Sequence, residues 1–162
     1  MRKNLAFALV VGFAAALVMA SQCSAGKYNK KLNVGDAAPQ WSGAAGIDDK
    51  KHALADHKDA KAVVVVFTCN HCPTAQAYEP RILQLQADYK DRGVALVAIS
   101  PNDDRAVRLD ELGYTDLGDS FADMKLRAKD RGFTFPYLYD GETQTMSAAY
   151  GAVSYTHLTL PT

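Results

Sequence analysis

Two cysteines three positions apart, Cys69 and Cys72, close an apolar run and precede a proline in Val63-Val64-Val65-Val66-Phe67-Thr68-Cys69-Asn70-His71-Cys72-Pro73. At the first turn of a helix, two sulfurs at this spacing can close a small disulfide ring. The first sulfur then faces the unpaired N–H groups of the helix start, which favours the thiolate, the reactive form of cysteine. The chemistry this permits is thiol–disulfide exchange: Cys69 attacks a disulfide in line and forms a mixed disulfide, and Cys72 displaces the reduced product. His71, between them, is expected to stabilise the Cys69 thiolate by charge or hydrogen bonding, lowering its pKa and making the disulfide more oxidising. The plainer alternative for His71 is a solvent-facing loop residue.

Other chemistries have fewer of their parts. A closed structural zinc site needs four ligands, and only Cys69, Cys72 and His71 lie together. A c-type haem signature needs histidine directly after the second cysteine, where Pro73 stands. His52 and His57 have no partner at ligand spacing and read as surface histidines. Met124 reads as core filler, and Glu79 and Arg81 as surface residues. No metal and no cofactor is expected.

The elements that must position the cysteines alternate in type. Ala62 to Thr68 is a β-branched run apolar on both faces, which predicts a strand in the middle of a covered sheet. Pro73 suits the first turn of a helix, where its missing N–H costs nothing. Tyr78, Ile82, Leu85 and Tyr89 give that helix one apolar stripe, with a kink expected at Pro80 and a stop at Gly93. Val94 to Ser100 is a second buried strand, so the unit is a right-handed crossover between parallel strands. Arg105 to Leu112 predicts a short helix, and Ser120 with Asp123 caps another whose inner face is Phe121, Met124 and Ala128. Phe133 to Tyr139 predicts a strand near a sheet edge because of Pro136, and Gln144 to Tyr150 a last short helix. Upstream, segments around Gln40 to Gly43 and His52 to Leu54 could pair as a hairpin. One three-layer α/β domain accounts for the pattern.

The chain has 162 residues with 18 basic and 18 acidic side chains, and it carries no block of like charge, which argues against a nucleic-acid partner. Arg2 and Lys3, the apolar stretch Leu5 to Met19 and the small residues up to Ala25 read as a secretory signal peptide, residues 1–25. Cleavage fits after Ala20 or after Ala25. Export places the cysteine pair in a periplasmic or extracellular setting where disulfides persist. Membrane attachment is expected only if the signal stays uncleaved or Cys23 is lipidated, and Gln22 and Ala20 are poor residues for the latter.

Strand, C-x-x-C-P, helix and strand together resemble the opening of a thioredoxin fold. Gly35-Asp36-Ala37-Ala38-Pro39 is similar to the entry segment of AhpC/TSA-type redoxins. Phe67 to Pro73 with Ala77-Tyr78-Glu79, and Arg127-Ala128-Lys129 through Phe133 to Asp140, resemble exported thioredoxin-like redoxins. The similarity runs from about Val34 to Ala152. It implies a thioredoxin-like three-layer fold, mostly parallel in its central sheet, and a thiol-disulfide oxidoreductase acting through Cys69, Cys72 and His71. Its partners would be a protein or small-molecule disulfide or thiol and an electron-donor thiol protein.

The chain departs from the family in two respects. Val63 stands where thioredoxins carry a buried aspartate, and the strand holds no replacement. Residues 153–162 do not follow the family's cis-proline, β-hairpin and final helix. They read as a non-native, adapter-like tail on a truncated redoxin domain, residues 26–152. A peroxidase or antioxidant of the AhpC/TSA type is the alternative function, although the Pro-x-x-x-Thr-x-x-Cys motif is absent. A copper metallochaperone on the same fold is another, although that branch uses C-x-x-x-C-P.

Overall fold

The computed structural model describes residues 29–106 and 117–152. The chain divides into two units, Met1–Ala37 and Ala38–Thr162. In the described part of the first, Asn29 Oδ1 accepts from the amides of Lys31 (2.9 Å) and Leu32 (3.2 Å), and Asp36 Oδ2 accepts from the Asn33 amide (2.7 Å). Such side-chain-to-backbone bonds fix local turns without a core.

The second unit is a five-stranded mixed sheet. Its strands are β1 (Ala44–Gly46), β2 (Lys51–His52), β3 (Ala62–Phe67), β4 (Val94–Ser100) and β5 (Tyr137–Tyr139), in the order β2-β1-β5-β4-β3. β3, β4 and β5 run parallel, and β1 is antiparallel to β2 and β5. Helices α1 (Pro73–Tyr89), α2 (Phe121–Arg131) and α3 (Thr145–Tyr150) complete it, with short 3-10 turns at Leu54–His57, Lys90–Arg92 and Asp104–Ala106.

Period-two alternation sorts the strand side chains into two cores. Val97 and Ile99 of β4 join Leu138, Trp41 and Met146 on one face, with Val63, Val65, Phe67 and Tyr150 against them. Leu96 and Ala98 join Met124, Ala128, Phe135 and Tyr137 on the other, with Val64, Ile82 and Leu83. The sheet is therefore sandwiched, α3 on one side and α1 with α2 on the other.

Several expectations change. The hairpin forms at Ala44–Gly46 and Lys51–His52, nearer the turn than the segments around Gln40 to Gly43 and His52 to Leu54 expected to pair. Among the described residues β3 is the last strand of the sheet, not a middle one: both its faces are covered, but only β4 pairs with it, which leaves its valines half-buried. β5 begins after Pro136 and lies inside the sheet between β1 and β4. Pro136 lacks an N–H, yet its carbonyl accepts from Ala98 (2.9 Å), so the residue borders a central strand without breaking the ladder.

In α1 the buried face is Glu79 with Ile82 and Leu83, while Leu85 and Tyr89 are exposed. Arg92 lies over the exposed Tyr89 ring (4.5 Å). Glu79 is 4% exposed and takes a two-point ion pair from Arg127 of α2 (2.7 and 2.8 Å), so it is no surface residue; Arg81 is exposed as expected. His52 is half-buried and bonds Asp48 (2.9 Å), and His57 Nε2 is buried without a hydrogen-bond partner, so neither is a plain surface histidine.

Other expectations match the structure. Ser120 caps α2 by accepting from the Asp123 amide (3.1 Å), and Gly132 ends it at φ 69°, a conformation that favours glycine. Gly93 follows the 3-10 turn that finishes α1. The expected helix at Arg105 to Leu112 falls mostly outside the described residues, as does the tail at 153–162.

Candidate active site

The C-x-x-C turn occupies the joint between β3 and α1, at the carboxyl end of the parallel strands, where α/β sheets present ligand sites. Thr68 N still donates to Ile99 O (3.0 Å), so strand pairing continues to the residue before Cys69. Cys72 is the N-cap residue of α1, with extended backbone and Pro73 at the first helical position. Both cysteines are half-buried and carry free thiols.

The two residues between them are held from a distance. Asn70 is 1% exposed. Its side chain donates to Gly118 O (2.9 Å) and accepts from the Tyr137 hydroxyl (3.1 Å), and its carbonyl accepts from Gln76 (2.7 Å). Asp119, also 1% exposed, immediately precedes the α2 cap. Its Oδ1 accepts from the backbone amides of Asn70 (2.7 Å) and His71 (3.2 Å). Its Oδ2 accepts from Asn102 (2.7 Å) and meets His71 Nδ1 at 2.5 Å. A buried carboxylate with four donors is fully satisfied, the condition under which burying a charge is tolerable.

Cys69, His71 and Asp119 each place one polar atom within 4.8 Å of the others. The type of the donors alone would suit a divalent cation. The 2.5 Å separation of Nδ1 and Oδ2 is that of a hydrogen bond, whereas two donors on one tetrahedral zinc stand about 3.3 Å apart. The trio is therefore an acid–imidazole pair beside a thiol.

This geometry reverses the expected electrostatics of Cys69. Burial, and next the neighbouring Asp119 carboxylate, push its thiol up to about 12, so the helix start does not prevail. His71 is half-buried and bonded through Nδ1 to Asp119, with a ring nitrogen within 4.8 Å of Cys69 Sγ. Tyr137 is raised by the same two causes. A consequence for stability follows from the sign of the Cys69 shift. The unfolded chain ionises this thiol near 9 and the folded chain only near 12, so the reduced protein should lose stability as pH rises across that window. Urea midpoints at pH 7 and 10 for the reduced and the disulfide forms will check this: only the reduced form should show the Cys69 share of the drop.

Asp119, Asn70, Asn102 and Tyr137 were invisible to motif reading, being 17 to 67 residues from their partners. The one local signal was an acid next to the Ser120 cap. An open cleft of about 570 Å³ lined by Trp41, Phe121, Tyr139, Met146 and Tyr150 is separate, since neither cysteine lines it. Among the described residues no helix is long and apolar enough to cross a membrane.

Comparison with known proteins adds sequence and fold relationships. The family model described as AhpC/TSA matches residues 34–162. A thiol-disulfide oxidoreductase, ResA, of Oceanobacillus iheyensis is 34% identical over 89 residues, covering 53% of this chain and 46% of that protein. The chain thus spans about half the length of this curated relative. An uncharacterized conserved protein from Geobacillus kaustophilus superposes with a TM-score of 0.60 at 37% identity, over 72% of this chain and 56% of that one. A thiol-disulfide oxidoreductase from Bacteroides fragilis shares the fold, with a TM-score of 0.56 at 13% identity over 74% and 78% of the two chains.

Proposed function

The chain belongs to the AhpC/TSA family, with a thioredoxin-like fold, and from that premise we propose that it is a thiol-disulfide oxidoreductase working through Cys69 and Cys72. The observation that carries this reading is the pair of free, half-buried thiols at the β3–α1 joint, with Cys72 capping α1. Cys69 attacks a substrate disulfide, and one substrate sulfur leaves as a thiol. Cys72 then attacks Cys69 in the mixed disulfide, releasing the second substrate thiol and leaving Cys69–Cys72 oxidised. The name of the ResA relative supports the same class of reaction.

The reading includes export by residues 1–25 and a redoxin domain at residues 26–152. Support comes from the charged start, uncharged apolar run and small residues of the leader. The partners would be a disulfide substrate and a thiol protein that returns electrons.

Redox titration of the full chain against a glutathione or dithiothreitol couple tests the proposal. A reversible two-electron transition that removes the Cys69 and Cys72 thiols together is expected. Two thiols that stay independently titratable through the whole range would sink it.

A further inference from the structure

We propose that Asp119 is a positioning residue for thiol–disulfide exchange: its bond to His71 Nδ1 leaves Nε2 as the ring nitrogen that takes the Cys69 proton as the sulfur attacks. The inference rests on the oxidoreductase reading above and adds to it the route of the proton.

The geometry separates two duties within one carboxylate. Oδ1 accepts from the Asn70 and His71 amides and fixes the turn, which any well-placed acceptor could do. Oδ2 is spent on Asn102 and the imidazole. A carboxylate on Nδ1 selects the tautomer with its proton on Nδ1, which leaves the lone pair on Nε2. Cys69 Sγ, a His71 ring nitrogen and an Asp119 oxygen already lie within 4.8 Å, and such contacts commonly tighten when substrate binds.

The need for a base follows from the surroundings of the sulfur. The charged or titratable groups that bear on it are Asp119 ahead of α2, Cys72 at the start of α1, His71 in the turn, and Tyr137 of β5. Glu79 of α1 bears on Tyr137 in turn. Burial and Asp119 disfavour a bare thiolate, whereas Cys72 acts both ways, its backbone N–H favouring the thiolate and its thiol opposing it. Moving the proton to His71 turns that liability into an imidazolium–carboxylate pair. The balance is then complete. The Cys69 S–H bond breaks, its proton goes to Nε2, and its electron pair forms the bond to the substrate sulfur. The substrate S–S bond breaks, and the leaving thiolate takes the proton from the imidazolium.

A pure charge effect and the positioning role predict opposite signs, so a double-mutant cycle decides. The rate of Cys69 alkylation by iodoacetamide, followed by mass spectrometry of the Cys69 peptide on reduced full chain from pH 6 to 10, is the readout. With His71 present, Asp119→Asn should slow the reaction at pH 7 by about tenfold, because the amide donates to Nδ1 and places the ring proton on Nε2. In a His71→Ala background the same change should not slow it, and loss of the negative charge should speed it. Faster alkylation in Asp119→Asn with His71 present, or equal slowing in both backgrounds, would overturn the proposal. If Asp119→Asn does not fold, ¹⁵N NMR of wild-type His71 decides: the Nδ1–H tautomer supports the role, and the Nε2–H tautomer defeats it. The two readings fail separately, because a missing redox couple removes the oxidoreductase and leaves the alkylation cycle to judge the hold of Asp119 on His71.

Discussion

Cys69→Ser should abolish disulfide reduction, lowering the rate by about a thousandfold or more, on the order of 4 kcal/mol of barrier. Cys72→Ser should instead allow one attack and then stop. The difference comes from the order of the two sulfurs. A serine hydroxyl at 69 is a far weaker nucleophile in the same place, so no mixed disulfide forms. A serine at 72 leaves the attacking thiol intact but removes the group that resolves its adduct. Insulin reduction assays should therefore show both variants inactive in turnover, while mass spectrometry finds a stable adduct on Cys69 only in Cys72→Ser. An adduct at Cys72 in Cys69→Ser, with none in the reciprocal variant, would reverse the assignment.

The second large effect concerns stability. Arg127→Ala should cost about 3–5 kcal/mol, because it leaves the Glu79 carboxylate buried without its two-point partner. Arg131 stands 3.3 Å from Glu79 Oε2 and is half-exposed, so it can offset part of the loss and place the cost toward the lower end. Against a total stability of about 5–15 kcal/mol, even the lower figure is severe. Replacing both members, Glu79→Leu with Arg127→Leu, should be much milder than either single change, since no unpaired charge remains. Urea unfolding of the four proteins measures the cycle. Additive losses would show that the pair contributes through packing alone.

Much of this architecture was legible in the sequence, for identifiable reasons. The valine run, Val94 to Ser100 and the Ser120 cap announce themselves because propensity, pattern and capping agree locally. Cys69, His71 and Cys72 stand out in the sequence by their spacing, and the structure places all three at the β3–α1 joint. Glu79 looks solvated in sequence, beside Pro80 and Arg81, because only the docking of α2 brings Arg127 to it. The Cys69 thiol departs from expectation for a related reason: the helix start is local and readable, while the opposing carboxylate arrives from position 119. The position of β3 at the end of the described sheet is not readable from its sequence, because two apolar faces signal coverage by helices and carry no information about how many strands flank it.

The Asp119 clasp on Asn70 and His71 joins points 48 and 49 residues apart. Closing so long a loop costs entropy before any bond is gained, so this contact forms late in folding. Until then the cysteines lie in a segment that this carboxylate does not yet hold, and their thiols are open to any oxidant present. The same clasp that holds back the thiolate in the folded chain therefore also governs how long Cys69 and Cys72 stay open to mispairing while the chain folds.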